Sequence, residues 1–210
     1  MPRPARVSPD RILAAAAVEF ATRGFGGARV DRIARRARVN KAMLYYYFHS
    51  KQDLYRALLR RTFTLAAARM QAIAESDAPP PEKVDRVIAG LAAFIREQQF
   101  FPAIMMREVA EGGAHLDRET LLTLAAVPRF VSAIVQQGVA AGAFRDVDPL
   151  FAYIGMLAPI VFYSAAGPIR KELGALHLAD LQPLAIDDFV LHMQDSVRRA
   201  LARPASGPAT

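Results

Sequence analysis

The 210-residue sequence predicts an all-α fold of about nine helices arranged in two parts. Three observations carry that prediction. Apolar residues recur at three- and four-residue spacing, which gives one buried stripe per helix. Glycine and proline fall between those stripes, where helices end. Alternating strand patterns and hairpin turn pairs do not occur. The division into two parts comes from charge: residues 1–61 hold 14 Lys and Arg against 4 Asp and Glu, whereas residues 62–210 hold 13 against 16. A compositional bias toward arginine would act on both segments, so the split marks two units with different partners.

Each element has its own signals. Residues 1–7 are rich in Pro and Arg and read as a flexible basic arm carrying Arg3 and Arg6. Ser8-Pro9-Asp10 opens the first helix: Ser8 caps, Pro9 suits the first helical position, and Asp10 faces the positive dipole end. Leu13, Ala16, Ala17 and Phe20 form its stripe, Gly24 ends it, and Gly26-Gly27 turns the chain. A short helix over 30–37 places Val30, Ile33, Ala34 and Ala37 on one face and Arg32, Arg35 and Arg36 on the other. Asn40 caps a third helix, and Ser50 caps a longer one that runs to about residue 75. Beyond the Pro79–Pro81 loop, helices are predicted at about 82–99, 102–112, 117–142, 148–165 and 187–202. Pro128 is expected to kink or split the long segment. Residues 203–210 read as a disordered tail.

Composition excludes several classes. Hydrophobic residues at 53% and charged residues at 22% fit a folded globular chain. No run of about 18 uninterrupted apolar residues suggests a membrane span, and no leader pattern precedes Asp10, so a cytoplasmic location is expected. Without cysteine there is no disulfide, thiolate metal site or thiol switch. Nucleophile-elbow, phosphate-loop and His-Glu-x-x-His motifs are absent, and no enzyme is expected. His115 with Glu111 and Asp117 is the one grouping of metal-ligand type, but flanking glycines and solvation explain it equally well. No metal or other cofactor is expected.

The segment Val39–Lys51 stands apart. On a helical wheel Leu44 and Phe48 share one edge, Ala42, Met43 and Tyr46 lie opposite, and Tyr45 and Tyr47 flank them. A helix in a nucleic-acid groove needs one anchored edge and an outward polar and aromatic face. Two short helices joined by a tight turn, the second carrying such a face, follow helix-turn-helix logic. Together with Gly24-Phe25, Val30, Ile33-Ala34, Ala37, Leu44-Tyr45-Tyr46-Tyr47-Phe48, Lys51 and Leu54, this segment resembles the TetR family of bacterial transcriptional regulators. The likeness covers roughly residues 9–58. Arg38 stands where the family often has glycine, and Met43 is bulkier than is common early in its recognition helix.

The resemblance implies a three-helix DNA-binding domain over 1–56 with a helix-turn-helix, and a larger helical ligand-binding and dimerisation domain over 57–202. It implies that Lys41, Ala42, Met43, Tyr45 and Tyr46 face bases, that Tyr47 and Lys51 hold phosphate, and that Arg29 assists. Family layout further implies a homodimer built on the helices near 148–165 and 187–202, with Phe189, Val190, Met193 and Val197 as a contact stripe. It also implies a small-molecule pocket, for which Phe94, Phe101, Ile104, Met105, Phe130, Ile134, Met156 and Phe162 are the candidates. The expected function is a repressor that binds double-stranded DNA at a palindromic operator and is released by a small, largely apolar effector. Two other readings stay open: a regulator whose larger domain only dimerises or recruits a protein, and a helical carrier without DNA binding.

Overall fold

Ser8 starts the first helix as its neighbours require, its hydroxyl accepting from the Asp10 N–H at 3.2 Å with Pro9 in the first turn. The computed structural model describes residues 8–176 and 185–203. The arm over 1–7, Pro183, and the tail beyond residue 203 lie outside them. Ten helices are described: α1 (Pro9–Gly27), α2 (Val30–Ala37), α3 (Lys41–Phe48), α4 (Lys51–Ala74), α5 (Pro80–Glu97), α6 (Phe101–Ala110), α7 (Arg118–Ala140), α8 (Pro149–Ala165), α9 (Gly167–Ala175) and α10 (Ile186–Leu201). No strand occurs among the described residues.

Three differences from the sequence expectation have physical reasons. Gly24 (φ 66°, ψ 177°) breaks the helical path as expected, yet a further turn of helix follows it to Gly27. Pro128 does not split α7, which runs unbroken from Arg118 to Ala140. A proline inside a helix costs about 3 kcal/mol, and the burial of Val127, Val131, Ile134 and Val135 on either side of it, about 1.5–3 kcal/mol each, outweighs that. No helix is predicted between those at about 148–165 and 187–202, yet Gly167-Pro168 begins α9, because proline in the first turn gives up an N–H that has no helical partner there.

The chain forms two compact units, Met1–Thr64 with Gln98–Thr123, and Leu65–Glu97 with Leu124–Thr210. In the first, α1 packs on α2 and α6, and Ile12, Ala16, Phe20, Ile33, Leu44, Leu54 and Leu59 are fully enclosed. In the second, α5, α8 and α10 pack together around Met70, Ile88, Ile134, Met156 and Ile160. Buried Lys83 closes the end of α4 there, its ammonium donating to the Ala74 carbonyl at 2.8 Å and to Gln137 at 3.1 Å. By length and composition alone α7 is apolar enough to cross a membrane, a property that core helices share.

Candidate nucleic-acid interface

The α2–α3 turn is built by two backbone bonds. The Arg38 N–H donates to the Arg35 carbonyl at 3.1 Å and the Val39 N–H to the Ala34 carbonyl at 3.0 Å, with Arg38 left-handed at φ 53°, ψ 47°. This pairing closes a helix C-terminus and normally places glycine at the left-handed position. Asn40 then caps α3, its side-chain oxygen accepting from the Met43 N–H at 2.7 Å. At the far end Ser50 and Asp53 bond reciprocally: the Ser50 hydroxyl donates to the carboxylate at 2.6 Å and accepts from the Asp53 N–H at 3.0 Å. Helix α3 is thus capped at its start and closes with the His49 N–H on the Tyr45 carbonyl at 2.8 Å, directly before the capped start of α4.

One edge of α3 is locked into the core, where Leu44 is 0% and Phe48 8% exposed. The opposite side is open. Tyr46 is 77% exposed, Tyr45, Lys41 and Ala42 are exposed, and Met43 and Tyr47 are half-buried. Tyr46 and Tyr47 meet edge-to-face with ring centres 5.4 Å apart. Lys41 forms an ion pair with Asp31 of α2 at 3.0 Å, and that hydrogen bond and charge push its ammonium further above the usual lysine range. It is thus a full cation at any physiological pH, held at the edge of the exposed face. Arg29 is exposed at the N-cap of α2, with its N–H donating to Glu19 at 3.3 Å.

Lys51 is placed differently from the sequence expectation. Its ammonium donates to the carbonyls of Phe25 at 2.9 Å and Ala28 at 3.3 Å, and sits 4.5 Å from the Phe25 ring centre. The carbonyls at the end of α1 supply the negative partner that the sequence suggested would be a phosphate. Arg32 leans toward buried Glu19 at 3.7 Å, and with Arg23, Arg35 and Arg36 it borders a cleft of about 480 Å³.

The eight pocket candidates divide between the units. Phe101, Ile104 and Met105 lie in the first; Phe94, Phe130, Ile134, Met156 and Phe162 lie in the second. Phe94, Ile104, Ile134 and Met156 are buried, and Phe101, Met105 and Phe130 half-buried. Phe162 is 66% exposed and lines no interior space in its unit. The expected α10 stripe is also corrected. Met193 and Val197 are buried within their own unit, where α10 packs on α5 and α8, and Phe189 stacks on Tyr163 at 4.2 Å, with the Arg198–Asp85 and Arg96–Asp187 pairs beside them. What remains open is a stripe on α8 formed by Phe151, Ile154 and Phe162.

One cluster was visible in the sequence only in part, through His115 and Glu111. Tyr55 of α4 donates to Glu108 of α6 at 2.8 Å, and the His115 ring nitrogen Nδ1 lies 2.8 Å from the same carboxylate oxygen. Asp117, grouped with His115 in the sequence, instead caps α7 and pairs with Arg56 and Arg60. The spacing of Glu108, Glu111 and His115 on one side of α6 and its extension was the available signal; the burial of Glu108 was not.

Known proteins share this arrangement. The profile described as "Bacterial regulatory proteins, tetR family" matches residues 12–58, which hold α2, the turn and α3. A second, "Tetracyclin repressor-like, C-terminal domain", matches residues 80–184. The transcriptional regulator RutR of Escherichia coli is 30% identical over 169 residues, covering 80% of this chain and 79% of its own. The chain belongs to the TetR family. It is a DNA-binding transcriptional regulator, and a named repressor matches most of its length. The transcriptional repressor NicS of Pseudomonas putida is 28% identical over 201 residues, 92% of each chain. Among solved structures, FadR of Bacillus subtilis in complex with stearoyl-CoA has the same fold, with a TM-score of 0.71 at 19% identity over 93% of this chain and 98% of that one.

Proposed function

We propose that this TetR-family regulator is a homodimeric repressor that grips a palindromic operator through α3 and is released by a small, largely apolar effector. The carrying observation is the asymmetry of α3: Leu44 and Phe48 are enclosed while Tyr46 stands 77% exposed beside Lys41 and Tyr45. Lys41, Ala42, Met43, Tyr45 and Tyr46 are proposed as the base-facing set, with Tyr47 and Arg29 on phosphate. Lys51 acts as a positioning residue that holds the α1–α2 turn under the reading helix. Residues 1–56 form the DNA-binding part and 57–202 the sensing and dimerising part, working in the cytoplasm and catalysing no reaction.

The larger part supplies the dimer and the effector site. The exposed α8 stripe supports pairing across a twofold axis, which sets two α3 helices one DNA turn, or a multiple, apart. Phe94, Phe130, Ile134 and Met156, all in the second unit, are the candidate apolar contacts. That NicS is named a repressor, and that FadR was solved with a long acyl thioester, support the sign of regulation and an apolar effector class. A second reading, in which the larger part only dimerises, is favoured by one observation: Phe94, Ile134 and Met156 are buried in the packed core of their unit.

Selection of DNA by the purified protein, followed by titration at several salt concentrations, tests the repressor reading. A palindrome bound with steep salt dependence is expected. Tyr46→Ala is expected to weaken that binding by roughly 1–3 kcal/mol while leaving nonspecific binding alone. Unchanged operator affinity in Tyr46→Ala and Lys41→Ala would remove α3 from the interface. A broad screen of apolar ligands that never releases the operator would favour the second reading.

A further inference from the structure

We propose that Glu108, Glu111 and His115 form a binding site for one divalent first-row transition metal of the zinc type. The three residues stand at the last turn of α6 and in the segment after it. Each offers one donor atom, and these lie within 4.8 Å of one another. The His115 Nδ1 is 2.8 Å from Glu108 Oε1 and 3.4 Å from Glu111 Oε2. An ion bonded to nitrogen and oxygen at about 2.0–2.2 Å sets its donors roughly 2.9–3.4 Å apart, for octahedral and tetrahedral geometry respectively. Both His115 spacings lie close to that range, and the remaining pair of donors is within 4.8 Å.

A second observation points to a cation. Glu108 is 2% exposed, and its Oε2 has no hydrogen-bond partner. Its Oε1 is doubly served, by the Tyr55 hydroxyl and by His115, while the other half of the same carboxylate faces no donor. A buried carboxylate oxygen without a donor is costly and asks for an explanation. Arg107 does not supply one, since its guanidinium reaches the Ala21 carbonyl at 3.5 Å and the space over Gly24. A divalent ion shared with His115 and Glu111 would satisfy both oxygens.

The surroundings fit a metal. Tyr55 would act as the outer donor that fixes the Glu108 carboxylate, to which its hydroxyl donates at 2.8 Å. The His115 ring packs against Phe25 with centres 4.1 Å apart, and its carbonyl accepts from Arg56 at 3.2 Å, which holds the imidazole in place. Glu111 is exposed and gives the entry path. One imidazole and two carboxylates, with no thiolate in the chain, suit Zn²⁺ and its neighbours rather than Cu(I).

Metal binding to the full chain, measured without DNA, tests this independently of operator recognition. Calorimetry with Zn²⁺, and Co²⁺ titration followed by visible absorption, are expected to show one equivalent bound. Glu111→Gln alters an exposed side chain that the fold does not need, and is expected to weaken binding roughly tenfold or more. Glu111→Gln with His115→Ala together should abolish it, while Tyr55→Phe should weaken it about tenfold and His192→Ala should leave it unchanged. Absence of saturable binding by the native chain would overturn the proposal. So would full binding by the double variant, or loss of binding on His192→Ala, with native circular dichroism in each case.

Discussion

Arg38 sits where glycine would be unstrained. At φ 53° its side chain incurs about 1–2 kcal/mol relative to a right-handed conformation, whereas a glycine there would add about 0.4–1 kcal/mol of unfolded-state entropy. The first effect is larger, so Arg38→Gly is expected to raise stability by about 0.5–1 kcal/mol in urea unfolding; a fall would mean that the guanidinium carries a stabilising contact of its own. Lys51 makes the opposite case. Its ammonium satisfies two carbonyls at the α1–α2 turn, and hydrogen bonds from a charged donor are worth about 1.5–3 kcal/mol. Lys51→Ala is therefore expected to lower the unfolding midpoint together with DNA affinity. A lysine that only gripped phosphate would flatten the salt dependence and leave stability alone.

At the level of elements, caps were the most legible feature because their bonds are local. Ser8, Asn40 and Ser50 were readable from sequence and each makes its expected bond. The start of α9 and the continuity of α7 through Pro128 were not, since both depend on what packs against the helix rather than on the dipeptide. The same holds at the site: exposure of Tyr46 follows from the wheel, but Glu108 and His115 meet Tyr55 only through contacts more than fifty residues apart. Asp117 gives a test at this scale. It caps α7 by accepting from the Thr120 hydroxyl at 2.6 Å and N–H at 2.9 Å, and it pairs with Arg56 and Arg60. The Thr120 bonds chiefly, then the two arginines, hold its carboxyl below the usual carboxylate range. A depressed folded-state value means stability that is fully present above pH 4 and lost as pH falls through the folded-state value. Asp117→Ala is expected to cost about 0.5–2 kcal/mol at neutral pH, as loss of a cap does, and to flatten the acid limb of the stability curve. An identical acid limb in variant and native chain would show that Asp117 does not carry it.

For the whole molecule, the charge split and the exposed α8 stripe support the proposed division into a DNA-binding and a dimerising part. The basic segment before residue 62 suits a polyanion, and the exposed aromatics of α8 suit a second copy of the chain. Phe151 is 72% and Phe162 66% exposed, with Ile154 between them at the same helical face. Burying each phenylalanine contributes about 1.5–3 kcal/mol, and in a twofold dimer every residue counts twice. Phe162→Glu replaces two such contributions with two carboxylates that would lose water at the interface, a change of at least about 3 kcal/mol and so more than a hundredfold in dimer dissociation constant. Sedimentation is expected to show monomers at concentrations where the native chain pairs, with helical content unchanged because the side chain is 66% exposed. A monomer presents one α3 helix to one half-site, so the same variant should lose palindrome affinity while retaining weak, salt-sensitive binding to any duplex. Dimers persisting in both Phe162→Glu and Phe151→Glu would exclude α8 as the pairing face, and would turn attention to the other face of α10 around exposed Leu191.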